Sequence, residues 1–181
     1  MNDLHSYLKS GTYQAHKALD AELIGYNLTD RFELSQYLCV HYLARTSLSE
    51  IMSFHNQKSS NQKMLNDIAL DLKILEVEPP LLKVNLGKAI SHSLGLTYVL
   101  AGSSLGSKVL YKQWTLSSDD RVKRAGHFMK SSKDSSDWKT FLARLDTLML
   151  TRPEIEHVVA SANCVFEIYQ AACDQVSGTV K

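Results

Sequence analysis

Cysteine is scarce and odd in number: Cys39, Cys164 and Cys173, with no CxxC pair among them. That argues against a disulfide framework or a zinc knuckle and for a reducing compartment. Proline occurs three times and glycine eight times in 181 residues. Both are too rare for an all-β chain with a turn every ten residues or so. No stretch approaches the roughly 18 uninterrupted apolar residues of a membrane span, so no membrane is expected among the partners. The opening MNDLHSYLKSG carries acid and amide where a signal peptide needs basic and then apolar residues. The expected location is therefore cytoplasmic. Neither sign of charge dominates: 20 Lys+Arg stand against 19 Asp+Glu, a net of +1. Nothing in that balance predicts a nucleic-acid partner. HExxH and P-loop motifs are missing, as are internal repeats and low-complexity tracts.

What is present is ordinary globular composition, 44% hydrophobic and 22% charged. The length suits one domain over 1–181. The apolar period is helical almost throughout. Asn2 or Asp3 caps a first helix in which Leu4, Tyr7, Leu8, Ala15, Ala18 and Leu19 recur at threes and fours. Gly11 interrupts it at a cost of about 1 kcal/mol against Ala, and residues 25–27 end it. Thr29 or Asp30 caps a second helix over 31–54, with Glu33 placed for a capping box. A polar loop over 55–61 and a third helix over 62–75 follow. Pro79 and Pro80 open a fourth helix over 81–94, since proline is tolerated in a first turn. Residues 95–114 form an apolar helix, and 119–129 a shorter one capped by Ser117 or Ser118. The polar stretch 130–136 leads to helices over 137–150 and from Pro153 to about 174, and a tail over 176–181 is expected to fray. The sequence thus predicts an all-α, single-domain bundle of about eight helices.

Two features carry chemistry. Lys9 and His16 are seven residues apart, nearly two turns, and so share a helix face. A neutral imidazole is a good ligand for haem iron, although a single helical His is more often a surface or satisfied core residue. Gly102 and Gly106 stack at i, i+4 in the 95–114 helix, where glycine is costly. They form either a small-residue seam for a neighbouring helix or a bare strip of backbone for a flat ligand. In the second case Ser103, Ser104 and Ser107 add hydroxyls able to hold water. Residues 108–144 contain nine Lys+Arg and four Asp+Glu, a local +5. This is either a solvated face or an attraction for an anionic ligand or acidic partner. Within it, Lys139 and Arg144 follow Trp138 on one helix. Glu154-Ile155-Glu156-His157 contains the chain's single ExxH, which argues against a carboxylate di-iron bundle. Cys39 and Cys164 sit on apolar stripes and read as core.

Three segments resemble the haem oxygenase family. LKSGTYQAHKALDAEL, residues 8–23, resembles its proximal helix. SLGLTYVLAGSSLGSKVL, residues 93–110, resembles its distal helix, in particular the bacterial type with a GSxLG core. DWKTFLARL, residues 137–145, fits the family's order. The resemblance implies haem held between the first helix and the glycine-kinked one, with His16 as iron ligand and Gly102 and Gly106 as the distal glycines. It implies Lys9 as a propionate partner, Lys139 and Arg144 as further basic positions, and Tyr98 facing the pocket. It departs at Ser103, where mammalian members carry the acid that orders the proton-delivering water.

The implied activity is oxidative cleavage of haem to biliverdin, carbon monoxide and ferrous iron. Haem is both substrate and cofactor, molecular oxygen the co-substrate, and an external ferredoxin or flavoprotein reductase the electron source. A monomer is expected. A haem carrier or sensor on the same fold is the competing reading, because His16 serves both. A thiaminase-like hydrolase on this fold needs a pocket Cys or acid pair that the sequence does not reveal.

Overall fold

The computed structural model of the chain describes residues 3–54, 58–81, 83, 84, 90–134 and 136–178. Among these, eight helices follow one another: α1 (Asp3–Gly25), α2 (Arg31–Phe54), α3 (Lys58–Ile74), α4 (Ser93–Trp114), α5 (Asp120–Arg124), α6 (His127–Ser132), α7 (Ser136–Leu145) and α8 (Arg152–Gly178). No strand occurs among the described residues, as the helical period and the scarcity of turn residues predict.

The caps follow from short polar side chains at the right places. Asp30 accepts from the backbone N–H groups of Phe32 (2.9 Å) and Glu33 (3.0 Å) and so starts α2, while Glu33 reaches back to the N–H of Asn27 at 2.7 Å. His92 caps α4 through Nδ1, which accepts from the N–H of Leu94. Asp119 caps α5, not Ser117 or Ser118 as expected. Its carboxylate is shared between the new helix and Arg31. Thr151 donates both its N–H and its hydroxyl to Glu154, closing the first turn of α8.

The long helix α8 is the axis of the bundle, packing against α1, α2 and α4. Val165, Ile168, Tyr169 and Ala172 of α8 meet Val40, Leu43, Ala44 and Leu48 of α2 and Leu96 and Val99 of α4. A second cluster joins α2 and α3 to Trp114 and to Phe128 and Met129 of α6. A third joins Leu4 and Leu8 to Phe141 and Leu145 of α7. Burying such side chains gives about 1.5–3 kcal/mol each.

Two glycines set the closest approaches. A Cβ at Gly95 would lie 2.5 Å from the carbonyl oxygen of Val158 and 2.7 Å from the nitrogen of Ala162. The backbones of α4 and α8 therefore touch there. A Cβ at Gly11 would lie 2.6 Å from Cγ1 of Val159. Gly11 is thus the place where α1 presses on α8, and its low helix propensity is offset by that contact.

The expected boundaries shift in five main places, the first being α3, which begins at Lys58, inside the loop expected over 55–61. The helix expected over 81–94 is not found among the described residues: 77–81, 83, 84 and 90–92 are not helical, 93 and 94 belong to α4, and 82 and 85–89 lie outside the described residues. The backbone N–H of Val84 donates to Ser47 and that of His92 to Ser161, so these donors are spent on other helices. The helix expected over 119–129 divides at Ala125 and Gly126. There the buried carboxylate of Asp71 accepts from the N–H groups of His127 (3.0 Å) and Phe128 (2.9 Å) and starts α6 afresh. Helix α7 stops at Leu145 rather than 150. Helix α8 continues through Gly178 with Val176 buried, so the expected frayed tail is helical as far as 178. The remaining tail residues, 179–181, lie outside the described residues.

Candidate functional site

A cavity of about 550 Å³ opens between α1 and α4 and is closed behind by α2, α7 and α8. Its size falls within the range of small-molecule and cofactor sites. Helix α1 buries Leu4, Leu8, Thr12 and Leu19 in the bundle. His5, Lys9, His16 and Asp20 therefore lie on the flank that lines the cavity. The His16 ring rests 5.4 Å from that of Phe166, with Nε2 3.3 Å from the Asp20 carboxylate and its side chain 55% exposed. This imidazole stands at a mouth, free of packing constraints on most of its surface.

Gly102, Ser103 and Gly106 of α4 line the same cavity. A Cβ at Gly106 would meet nothing within 4 Å, and one at Gly102 would meet the Trp138 ring, at 3.5 Å. Neither glycine admits a neighbouring helix backbone. The small-residue seam is real, but it lies at Gly95 and Gly11. Gly106 is left as bare backbone facing open space, and Gly102 lies in van der Waals reach of the Trp138 ring beside it.

Tyr98 lines the cavity with its hydroxyl 3.5 Å from Oγ1 of Thr12 and its ring 5.9 Å from Trp138. The Ser103 hydroxyl donates to the carbonyl of Leu100 at 2.8 Å, which leaves its lone pairs as acceptors. The structure therefore brings His16, Lys9, Tyr98, Gly102, Ser103 and Gly106 to one cavity. It does not bring Lys139 and Arg144 there. The inward register of α7 is taken by Phe141 and Leu145, buried in the core, and by Trp138, which lines the cavity. Lys139 is left exposed, and Arg144 borders a different cavity.

Two residues that line the cavity were not read as site residues. Trp138 stacks on Phe141 (5.6 Å, 20° between planes) and meets His5 edge-on at 5.8 Å, walling one side. His41 is buried among Tyr37 (4.5 Å), Phe128 (4.8 Å) and Tyr169 (5.5 Å). Neither of its ring nitrogens has a hydrogen-bond partner. Burial, helped by the Arg45 charge, pushes its pKa down to about 3, so the ring stays neutral. Its signal in the sequence is the spacing Tyr37, His41, Arg45, a polar stripe at i, i+4 inside an apolar helix.

Of the two cysteines expected in the core, Cys164 is buried and Cys39 is half-buried against that core. Cys173 is also buried, and burial raises the thiol of Cys39 to about 11 and that of Cys173 to about 12. No group of three or more His, Cys, Asp or Glu able to hold a metal ion occurs among the described residues. No described helix is long and apolar enough to cross a membrane. Part of the local basic excess is already paired: Arg121 with Glu76 and Lys123 with Asp120.

No family model and no curated protein matches the chain. Its structure, however, superposes on the NO- and CO-bound haem oxygenase from Neisseria meningitidis with a TM-score of 0.71. The match covers 97% of this chain and 92% of that one. The fold is the haem oxygenase fold. At 18% identity the likeness speaks for the architecture alone, and that architecture agrees with the order of segments that resembled haem oxygenases in the sequence.

Proposed function

We propose that this protein binds haem in the cavity between α1 and α4 and cleaves it oxidatively to biliverdin, carbon monoxide and ferrous iron. The observation that carries this reading is the bare backbone at Gly106, open to the cavity that His16 enters from α1, with Gly102 lining the same cavity beside Trp138. The residues fit a flat, iron-bearing, dicarboxylate ligand. His16 supplies an accessible imidazole for the iron, Lys9 a cation for a propionate, and Phe166 and Trp138 apolar walls.

Bound haem supplies the redox chemistry and is itself consumed, with molecular oxygen as co-substrate and electrons from an external ferredoxin or flavoprotein. The chain's own part is positioning. His16 fixes the iron end. Gly102 and Gly106, which put no side chain into the cavity, would let the α4 backbone hold a flat macrocycle closely. Leu105 and Val109, both partly exposed, extend that apolar wall towards the mouth. Ser103 offers acceptor lone pairs where a carboxylate would otherwise order water. His41 stays neutral and contributes one donor and one acceptor inside an otherwise aromatic wall.

A carrier or sensor would use the same ligand without turnover, so one assay separates the readings. Hemin and then ascorbate are added to the purified protein in air, and the visible spectrum is followed. Loss of the Soret band with growth of a biliverdin band in the red supports the oxygenase. A stable Soret band through many equivalents of ascorbate would establish the carrier instead.

A further inference from the structure

A second cavity, about 470 Å³, lies on the opposite face of α4, against α2, α3, α6 and α7. Thr97, Ala101 and Ser104 recur at threes and fours on that face, whereas Tyr98, Gly102 and Gly106 recur on the face of the first cavity. Its deep wall includes Arg45, only 7% exposed. The guanidinium donates from Nη1 to Oδ1 of Asn61 at 3.2 Å, its Nε has no partner, and its Cζ lies 6.0 Å from the Phe128 centroid. No carboxylate pairs with it among the described residues. Arginine does not give up its proton in proteins, and an unpaired buried charge is costly. An anion entering this cavity would therefore meet a buried guanidinium that no carboxylate neutralises among the described residues.

The rest of the wall says what else such an anion carries. The Ser104 hydroxyl donates to the carbonyl of Ala101 at 2.8 Å, and that of Ser132 to the carbonyl of Met129 at 3.4 Å. Both hydrogens are spent, so both buried oxygens offer acceptors to a ligand. Asp137, exposed at the rim on α7, adds a carboxylate acceptor. We propose that this cavity is a binding site for a small hydroxy- or amino-carboxylate. Its acid group pairs with Arg45, and its hydroxyl or ammonium donates to the serines and Asp137. The proposal does not rest on the haem-binding reading, although Leu100 and Ser103 line both cavities.

The test uses hemin-free full-length protein, with L-lactate, L-serine and acetate as probes and sodium chloride at matched ionic strength as control. Thermal unfolding and saturation-transfer NMR are read together. L-lactate or L-serine should raise the midpoint saturably by several degrees, and both should bind more tightly than acetate. Arg45→Met should weaken their binding by at least about tenfold, the loss of a charge-assisted pair. Ser104→Val, which fills the cavity without touching the charge, should do the same if Arg45→Met fails to fold. A midpoint rise no larger than that given by chloride, no saturation transfer to any probe, or acetate bound as tightly as lactate would each overturn the assignment.

Discussion

Replacing Gly106 with alanine should move stability and haem binding in opposite directions. Position 106 lies inside a 22-residue helix, where glycine is about 1 kcal/mol worse than alanine. A Cβ there meets no atom within 4 Å, so no clash offsets the gain. Hemin-free Gly106→Ala should therefore unfold about 2–4 °C above the parent, the shift expected per kcal/mol for a chain of this size. The same methyl projects into the cavity, where a macrocycle seated against bare backbone would meet it. Overpacking of this kind costs about 1–3 kcal/mol, so hemin affinity should fall roughly 5- to 150-fold, or turnover should fall with it. The control is Gly95→Ala. Its Cβ would sit 2.5 Å from the Val158 carbonyl oxygen, a backbone atom that cannot step aside, so that variant should lose stability. Differential scanning calorimetry without hemin and a Soret titration measure the two effects. If Gly106→Ala destabilised the hemin-free protein, the strip would be a packing surface after all. If hemin affinity and turnover were both unchanged, no ligand lies against it.

His16→Ala should abolish turnover and change the Soret maximum while leaving the hemin-free midpoint within about 0.5 kcal/mol, as for most surface substitutions. A parental spectrum would move the ligand to His5 or His41. Lys9→Ala should loosen hemin or let it seat in a rotated pose, altering the biliverdin isomer ratio, with little change in salt dependence. Turnover driven by an acidic protein reductant should fall as salt rises, because exposed docking charges are screened over roughly 8 Å at physiological ionic strength. Salt-indifferent turnover would reduce the basic excess to a solvated surface. His41 has a folded pKa near 3 against about 6.5 in the unfolded chain, so the unfolded state binds the extra proton. Its contribution to stability is complete above pH 6.5 and is lost as pH falls towards 3, at up to about 1.4 kcal/mol per pH unit. His41→Phe should flatten that part of the stability profile, measured by urea unfolding between pH 7 and pH 4, and an unchanged slope would show that the ring is not buried neutral.

The all-helical class was legible because the apolar period is local: Leu4, Leu8 and Leu19 repeat as a helix must, whatever they pack against. Errors came where a tertiary contact took over. Tyr7, read as an inward residue, is exposed, because the buried stripe runs through Thr12, a polar residue whose hydroxyl is satisfied by the carbonyl of Leu8. Pro79-Pro80 looked like a helix start, but donors just beyond it are claimed by serines of α2 and α8. Helix α6 depends on a carboxylate from α3, which no reading of residues 119–129 alone would reveal.

The site divides in the same way. Lys9 and His16, and Gly102 and Gly106, are each paired by helical spacing, so each pair was visible as one face. That the two faces line one cavity follows only from the packing of α1 and α4 against α8. The choice between a ligand strip and a helix seam could not be made from i, i+4 spacing, because Gly95 and Gly106 look alike in sequence. They differ in what stands opposite: the backbone of α8 at one and open space at the other. Arg45 was the least legible residue. In sequence it is one more helical cation, and only the contact of α2 with α3, which brings in Asn61 and shuts out solvent, turns it into an unpaired buried charge.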